Sequence, residues 1–532
     1  MKRKFSDLHC HNHMRVHFHM QAKEKKFTRK GEFSPWTVIA SNSRNQEKGK
    51  MGASYSQIDL VKCWNSNLRL TFNSLYPLER QFVIGMDPKI KEDKWYHFVA
   101  RGILGDSGLK RDILQTVYMK IPDKVVDFFQ SPTYDYWDSL NREKDFVLID
   151  SGKRIKKNEI HVPSALFGDD KAAAKRAKEH PESYVAENAC YRIPKNKTEL
   201  VKSLADDTEI TMILTIEGAH ALGTDRCKTV EEISARIKFI KEKWEVPVFF
   251  ITFSHHFDNG LCGHAHSIPG MGKVLMKQRP HMNEGFRRNG HRIIRETLGL
   301  TMDLERDPTR GYRILIDVKH MAARSRAEYY DLVKACLAKG DRIPVIASHC
   351  GYSGLKTLQD HIDCEKEEKD DHCDPSGKFN AWNINMCDED IEMIVKTQGI
   401  FGLSFDQRIL GITKKDKETK RNGIQLIWEN IEAIAKSAYE NQNLTDIQKP
   451  QIWKCITIGT DFEGLIDPVN PYPTALEFEL MANNLVIEIE QARKDPKAKH
   501  LAHLKSREDV EKAVDDFCYN NAEAFVKENY PV

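Results

Sequence analysis

Two histidines near the N-terminus, His9 and His11, stand one residue apart in the run KFSDLHCH. Side chains at positions i and i+2 of a β-strand point to the same face, so both imidazoles could bind one metal ion from a single strand end. The pair is weak evidence by itself, because His13, His17 and His19 follow closely and solvated or core histidines are the ordinary alternative.

Five further apolar runs along the chain end in histidine, glutamate or aspartate. Imidazole and carboxylate groups together suit zinc or a similar divalent ion. If these residues were ordinary core or loop residues, each run would need its own structural explanation. The joint pattern therefore favours a metal site. These residues are Glu217 in TIEGAH, His255 in TFSHH, His320 in IDVKHM, His349 in IASHCG and Asp461 in IGTDFEG.

The elements that must position these residues are short strands alternating with helices. Several runs are continuously apolar, which is typical of parallel strands covered on both faces. Helical periodicity lies between them, at 230–243, 326–337 and 388–397. This alternation predicts an α/β fold, a (β/α)8 TIM-type barrel whose carboxyl strand ends meet on one face. The eight predicted strands are 4–11, 67–73, 209–217, 247–255, 312–317, 344–349, 399–405 and 454–461.

The interval between the second and third predicted strands is far longer than a crossover needs, which is about 12 residues. We therefore expect a large insertion after the second strand, placed as a lid over the mouth of the barrel because βα loops lie there. The expected organisation is a barrel start at 1–73, an insertion at 74–208, and the rest of the barrel with C-terminal helices at 209–532.

Composition narrows the class of protein. Of 532 residues, 40% are hydrophobic and 30% charged, and the net charge is only +3, which argues against disorder, a membrane span, and nucleic-acid or anionic-membrane binding. The 12 cysteines are scattered without a C-x-x-C pair, so free thiols in a reducing compartment are expected. The N-terminus lacks the apolar stretch of a signal peptide, and a cytoplasmic location is the expectation.

Taken in order, the segments DLHCH, TIEGAH, TFSHH, LIDVKHM, PVIASHCG and IGTDFEGL resemble the membrane (renal) dipeptidases, a branch of the amidohydrolase superfamily. In that family the corresponding segments are H-x-D, IEGGH, LTH, LIDxxH, PVxxSH and GGDFDG. The resemblance runs through most of the chain and leaves 80–205 and 364–378 without a match. It implies a metallopeptidase that hydrolyses the C–N bond of a dipeptide.

The resemblance also implies two divalent metal ions, with zinc the favoured identity, and a hydroxide shared between them as the nucleophile. Asp461 would orient this hydroxide and carry its proton to the leaving nitrogen, and His255 would donate a hydrogen bond to the developing oxyanion. By motif position, one ion would be bound by His9, His11 and Asp461, the other by His320 and His349, and both by Glu217.

Two departures from the family pattern affect the substrate and the metal. H-x-H replaces H-x-D, which leaves the first site one unit less negative. More importantly, the family binds the substrate carboxylate through an arginine after the sixth strand, and the stretch 381–385 (AWNIN) has none. Arg408 is a candidate replacement, with a surface arginine in a loop as its simpler interpretation.

Three functional hypotheses follow. The first is a dipeptidase-type binuclear metallohydrolase acting on a small-molecule substrate, without nucleic acid or membrane partners and with a homodimer as the expected assembly. The second is an amidohydrolase acting on another amide, a cyclic amide or a lactone, which the missing arginine favours. The third is a barrel that has lost catalysis and binds a ligand.

Other cysteine and histidine residues have weaker cases. The spacing of His361, Cys364, His372 and Cys373 fits no standard zinc module, although a structural zinc there is an alternative. Cys350 follows His349 directly, but a metal-activated nucleophile would make a catalytic thiol unnecessary.

Overall fold

Eight parallel strands, β1 to β8, lie side by side in sequence order and confirm the (β/α)8 barrel expected from the sequence. The computed structural model describes residues 2–23, 33–40, 56–82, 123–161, 170–268, 278–366, 373–411 and 422–531. The seam between β8 and β1 is joined just past the strand ends, where Asp461 N donates to His9 O at 2.9 Å and His11 N donates to Phe462 O at 3.1 Å. The strands are Phe5–Cys10, Leu68–Leu75, Ile210–Glu217, Val248–Thr252, Leu315–Asp317, Ile346–Cys350, Ile400–Leu403 and Ile456–Ile458.

Helices follow the strands and cover the outside of the barrel. Val230–Lys243 has the predicted bounds: the Thr229 side chain accepts from Glu232 N at the first turn, and Ile233, Ile237 and Ile240 are buried. The described α-helices are Met14–Lys23, Leu60–Ser66, Asp123–Gln130, Tyr136–Leu148, Asp170–Glu179, Pro181–Tyr184, Lys197–Leu204, Val230–Lys243, Gly290–Leu298, Ala323–Ala338, Leu358–Lys366, Asp388–Thr397, Gln407–Leu410, Gly423–Glu440, Phe478–Ala492, Arg507–Asp515 and Asn521–Asn529.

A hydrophobic cluster fills the amino-terminal half of the barrel interior. Many of its members come from the beginnings of strands, such as Leu70, Leu315 and Ile400. Phe525 and Tyr530 of the C-terminal segment belong to the same cluster and cover that end. The opposite end, where the strands finish, is therefore left for polar side chains.

The insertion after β2 contacts β3 at both of its ends. Near the carboxyl end, Pro77 O accepts a hydrogen bond from His220 Nε2 at 2.8 Å. Near the amino end, the short strand Tyr191–Arg192 pairs with Ile210 and Thr211 at the start of β3. The described part of the insertion therefore reaches both faces of the barrel. The lid over the barrel mouth stays a prediction, because 83–122 and 162–169 lie outside the described residues.

The expectation that all cysteines are free thiols is wrong at one pair. Cys364 and Cys373 form a disulfide with their Cα atoms 6.0 Å apart. Cys364 lies in the helix Leu358–Lys366 and Cys373 lies nine positions later, and their Cα separation is within the usual range for a disulfide. The pairing occupies both thiols of the alternative structural zinc site, and His372 lies outside the described residues.

Among the helices that the structure describes, none is both long and apolar enough to span a bilayer. The cytoplasmic location and the homodimer stay predictions.

Candidate metal centre

Four imidazoles and one carboxylate converge at the carboxyl end of the barrel. Glu217, the last residue of β3, places Oε1 3.2 Å from His9 Nε2 and Oε2 3.0 Å from His11 Nε2. Its Oε1 also lies 3.9 Å from His320 Nε2 and 3.7 Å from His349 Nε2. One carboxylate therefore reaches both of the histidine pairs that the sequence singled out, and those pairs come from four different segments.

Asp461 completes the group from the segment after β8. Its Oδ1 lies 3.8 Å from His9 Nε2 and 3.9 Å from His11 Nε2, and its Oδ2 lies 3.9 Å from His349 Nε2. Asp461 and His320 both have left-handed backbones, with φ of 63° and 65°. Such values are uncommon outside glycine and concentrate at functional sites.

The two N-terminal histidines have ring nitrogens that the protein leaves unsatisfied. His9 Nε2 and His11 Nε2 are buried and, although Glu217 oxygens lie 3.2 and 3.0 Å away, they make no well-aligned hydrogen bond with any residue that the structure describes. His11 Nδ1 donates to Ser74 O at 2.9 Å, which leaves the lone pair of the ring on Nε2. A buried acceptor without a donor is costly, and a divalent cation between these nitrogens and Glu217 would remove that cost. The residues present therefore fit a metal ion.

A hydroxyl on β6 sets the orientation of two of these imidazoles. Ser348 Oγ donates to Asp317 Oδ2 at 2.6 Å, so its lone pairs can accept from His349 Nδ1 at 2.8 Å and His9 Nδ1 at 3.4 Å. Thr252 Oγ1 donates to the same Asp317 oxygen at 2.6 Å. With the protons on Nδ1, both histidines present Nε2 lone pairs to the centre.

We expect Ser348→Ala to lower metal affinity by about 10- to 100-fold, because it removes the acceptor that orients His9 and His349. Equilibrium titration with zinc against a competing chelator measures the change. Ser437→Ala is the matched control, since the Ser437 hydroxyl is buried and makes no hydrogen bond with the described part of the chain. Equal affinities of the Ser348→Ala variant and the unaltered chain would rule out this orienting role.

The pKa values of the two carboxyl groups of the centre are shifted in opposite directions. Burial would raise the pKa of Glu217, but His255, His9 and His11 together lower it well below its usual value. Burial and the charge of Glu217 raise the pKa of Asp461 well above its usual value. Glu217 is therefore the anionic member of the pair when only protein groups are present.

Burial also keeps two of the imidazoles neutral. It is the main cause that lowers the pKa of His320 and of His349 well below the usual value, and neighbouring histidines add to it. Neutral imidazole is the form that binds a metal ion, so no proton need leave these rings on binding.

His255 lies beside the centre, between two carboxylates. Its Nδ1 donates to Glu79 Oε2 at 2.5 Å, and its Nε2 lies 3.4 Å from Glu217 Oε1. Burial would lower the pKa of His255, but Glu217 and Glu79 outweigh it and raise the value to about 10. Burial would raise the pKa of Glu79, but His255 and His220 lower it to about 2. This geometry holds His255 as a hydrogen-bond donor.

Sequence reasoning missed Glu79 and His256. Glu79 lies in the insertion, and nothing in its local sequence relates it to His255. His256 follows His255 and, with His255 and His320, forms a second group whose ring nitrogens lie within 4.8 Å of one another. The doubled histidine of TFSHH was the available signal for His256.

Two adjoining cavities open onto the centre and share Glu217, His255 and His256 in their walls. The first cavity is mainly apolar. The second cavity mixes charged and aliphatic side chains. Characteristic residues are Met14, Phe18, Tyr76 and Leu78 for the first cavity and Lys319, Ile384, Arg408 and Ile409 for the second.

The stretch 381–385, where the family arginine would stand, lies against the second cavity through Ile384. Asn385 does not serve the cavity: its Oδ1 accepts from Gly351 N at 2.9 Å and its Nδ2 donates to Ile409 O at 2.8 Å. Arg408 is not the surface residue of the simpler interpretation, because it lines the cavity. Its guanidinium forms a two-point ion pair with Asp406, with Nε–Oδ1 at 2.9 Å and Nη2–Oδ2 at 2.5 Å.

Cys350 is unsuited to nucleophilic attack. The side chain is fully buried on β6, and burial raises the pKa of its thiol to about 12. The thiolate needed for attack is therefore scarce near neutral pH.

No protein-family model matches the sequence, and no curated protein matches it. The fold aligns with a metallopeptidase from Rhodobacter sphaeroides liganded with a phosphinate mimic of dipeptide L-Ala-D-Ala (11% identity, TM-score 0.47, 100% of both chains). It also aligns with the metallopeptidase dipeptidase AC (12%, 0.48, 100% of both chains) and with a probable dipeptidase from Pseudomonas aeruginosa (11%, 0.41, 96% of both chains).

Proposed function

We propose that this chain is a metal-dependent hydrolase of dipeptidase type that cleaves the C–N bond of a dipeptide or a related small amide. The observation that carries the proposal is the position of Glu217, whose carboxylate reaches both histidine pairs. A carboxylate between two sets of imidazoles is the arrangement that binds two neighbouring cations.

The proposed cofactor is a pair of divalent cations, with zinc the favoured identity because the donors are imidazole and carboxylate. When bound, the cations would polarise the scissile carbonyl group and acidify the attacking water. The residues assigned to hold them are His9, His11 and Asp461 for one, His320 and His349 for the other, and Glu217 for both.

Asp461 is assigned as the general base. Its carboxylate faces the cluster from the β8 side and lines the second cavity, so it can meet both water and substrate. It would accept the proton of the attacking water and pass it to the leaving nitrogen, which must be protonated for the C–N bond to break.

His255 is assigned to stabilise the negative charge that develops on the carbonyl oxygen. Glu79 fixes one side of its ring, and Nε2 faces the region beside Glu217 that both cavities share. A donor held in place before the reaction needs no reorientation in the transition state.

Elemental analysis of protein purified without a histidine tag tests the proposal. We expect about two divalent ions per chain, fewer in a His320→Ala variant, and metal-dependent hydrolysis within a panel of dipeptides. A chain that holds no metal, and takes up none from zinc or manganese solutions, would refute the assignment. That result would favour the ligand-binding barrel.

A second candidate is hydrolysis of a cyclic amide, a lactone or another amide without a free carboxylate. The observation that favours it is the absence of arginine from 381–385, which places Ile384 in the second cavity instead. Hydrolysis of uncharged cyclic amides or lactones in preference to dipeptides would support this candidate over the first.

A further inference from the structure

Lys319, the residue before His320, has a buried side chain that lines the second cavity. Only 1% of the residue is exposed. Within the described ranges its ammonium forms no close ion pair, although its charge interacts with that of Asp461 at longer range. The lysine is anchored through its backbone, where its N–H donates to Asp317 Oδ1 at 3.1 Å. Burying an ammonium is unfavourable unless an anion accompanies it, so this side chain is suited to an anionic ligand.

Three carboxylates, those of Glu217, Asp406 and Asp461, line the second cavity together with Lys319 and Arg408. Asp406 is matched by Arg408 in the two-point ion pair described above. Asp461 interacts electrostatically with Lys319, but both Asp461 and Glu217 are assigned to hold the cations. With those cations bound, Lys319 is left without a matching anion, and Ile384 and Ile409 of the same wall carry no charge.

We propose that Lys319 binds a carboxylate of the substrate in the second cavity. This inference rests on the proposed function, because it places that carboxylate beside the bond to be cleaved. The carboxylate is either the terminal group of a dipeptide or an acidic side chain. The cation thus comes from the segment after β5 rather than from 381–385, and the enzyme prefers acidic substrates although the family arginine is missing.

Kinetics with three peptides separate the two sources of the carboxylate. Ala-Ala carries a terminal carboxylate, Ala-Asp amide carries only a side-chain carboxylate, and Ala-Ala amide carries neither. We expect Lys319→Met to lower kcat/KM for the preferred acidic peptide by about 10- to 100-fold, mainly through KM, and to leave Ala-Ala amide unchanged. Equal losses on all three peptides, or no loss on any, would refute the assignment of Lys319.

Calorimetry can measure the affinity of the chain for succinate and for succinamide, its uncharged analogue. This measurement tests the anion site without requiring hydrolysis. Succinate should bind the unaltered chain more tightly than succinamide, should lose about 10-fold in affinity in Lys319→Met, and should keep most of it in Lys319→Arg. Lys334→Met, a change at an exposed lysine of the following helix, is the matched control. Succinate binding that does not depend on Lys319 would refute the carboxylate site.

The two experiments also separate this inference from the proposed function. Lys319-dependent succinate binding without hydrolysis of any peptide would refute the hydrolase and keep the anion site. Hydrolysis of the peptides without any dependence on Lys319 would keep the hydrolase and refute the anion site.

Discussion

Glu217→Gln is expected to release bound metal and to lower kcat/KM by at least about 100-fold. Loss of a residue that merely orients a metal ligand costs 10- to 100-fold, and Glu217 is assigned as a ligand to both cations. Glutamine preserves the shape of the side chain but removes the negative charge that would balance the two cations. Metal content and steady-state kinetics measured on the same preparation check the result.

Glu209→Gln is the matched control for that experiment. Glu209 precedes β3, as Glu217 ends it, and its carboxylate pairs with Arg192 at the opposite end of the barrel. We expect this variant to keep its metal and its activity. Full metal content and activity in Glu217→Gln would contradict the assignment of the bridging ligand.

Asp461→Asn is expected to lower kcat by roughly 10²- to 10⁴-fold, the usual contribution of general acid–base catalysis. Asparagine tolerates the left-handed backbone at this position, so the fold should be retained. The variant keeps one oxygen ligand and loses the proton acceptor. We therefore expect kcat to fall much further than metal content.

Single-turnover hydrolysis, metal analysis and thermal unfolding of Asp461→Asn together make the test specific. Unchanged kcat with full metal content would exclude Asp461 as the general base. A large fall in melting temperature would instead indicate that this residue acts mainly on stability.

The sequence predicted the barrel and the convergence of its strand-end residues because both follow from local pattern. Parallel strands in a barrel finish on one face, so His349 on β6 and Glu217 on β3 must meet although they are 132 positions apart in the printed sequence. The predicted ends of the strands were less accurate. The strand predicted over 247–255 ends at Thr252, and His255 lies in the loop beyond it. The side chain still reaches the centre because the loop turns over the face of the barrel.

Contacts set by long-range folding could not be predicted. Glu79 meets His255 across 176 positions, and no periodicity relates the insertion to the loop after β4. Lys319 was visible in the motif IDVKHM, but only the structure reveals that its side chain is buried and lines the second cavity. The disulfide between Cys364 and Cys373 was also missed, because spacing does not reveal which loop ends meet.

The way the insertion contacts β3 at both ends limits how this protein can be re-engineered. Excising 74–208 as a module would take away Glu79, the partner of His255, at one end of the strand. It would also uncover Ile210 and Thr211 at the other end, where Tyr191–Arg192 pairs with them. A minimal barrel would need substitutes for both contacts, so grafting this centre onto a shorter scaffold means carrying part of the insertion along with the strands.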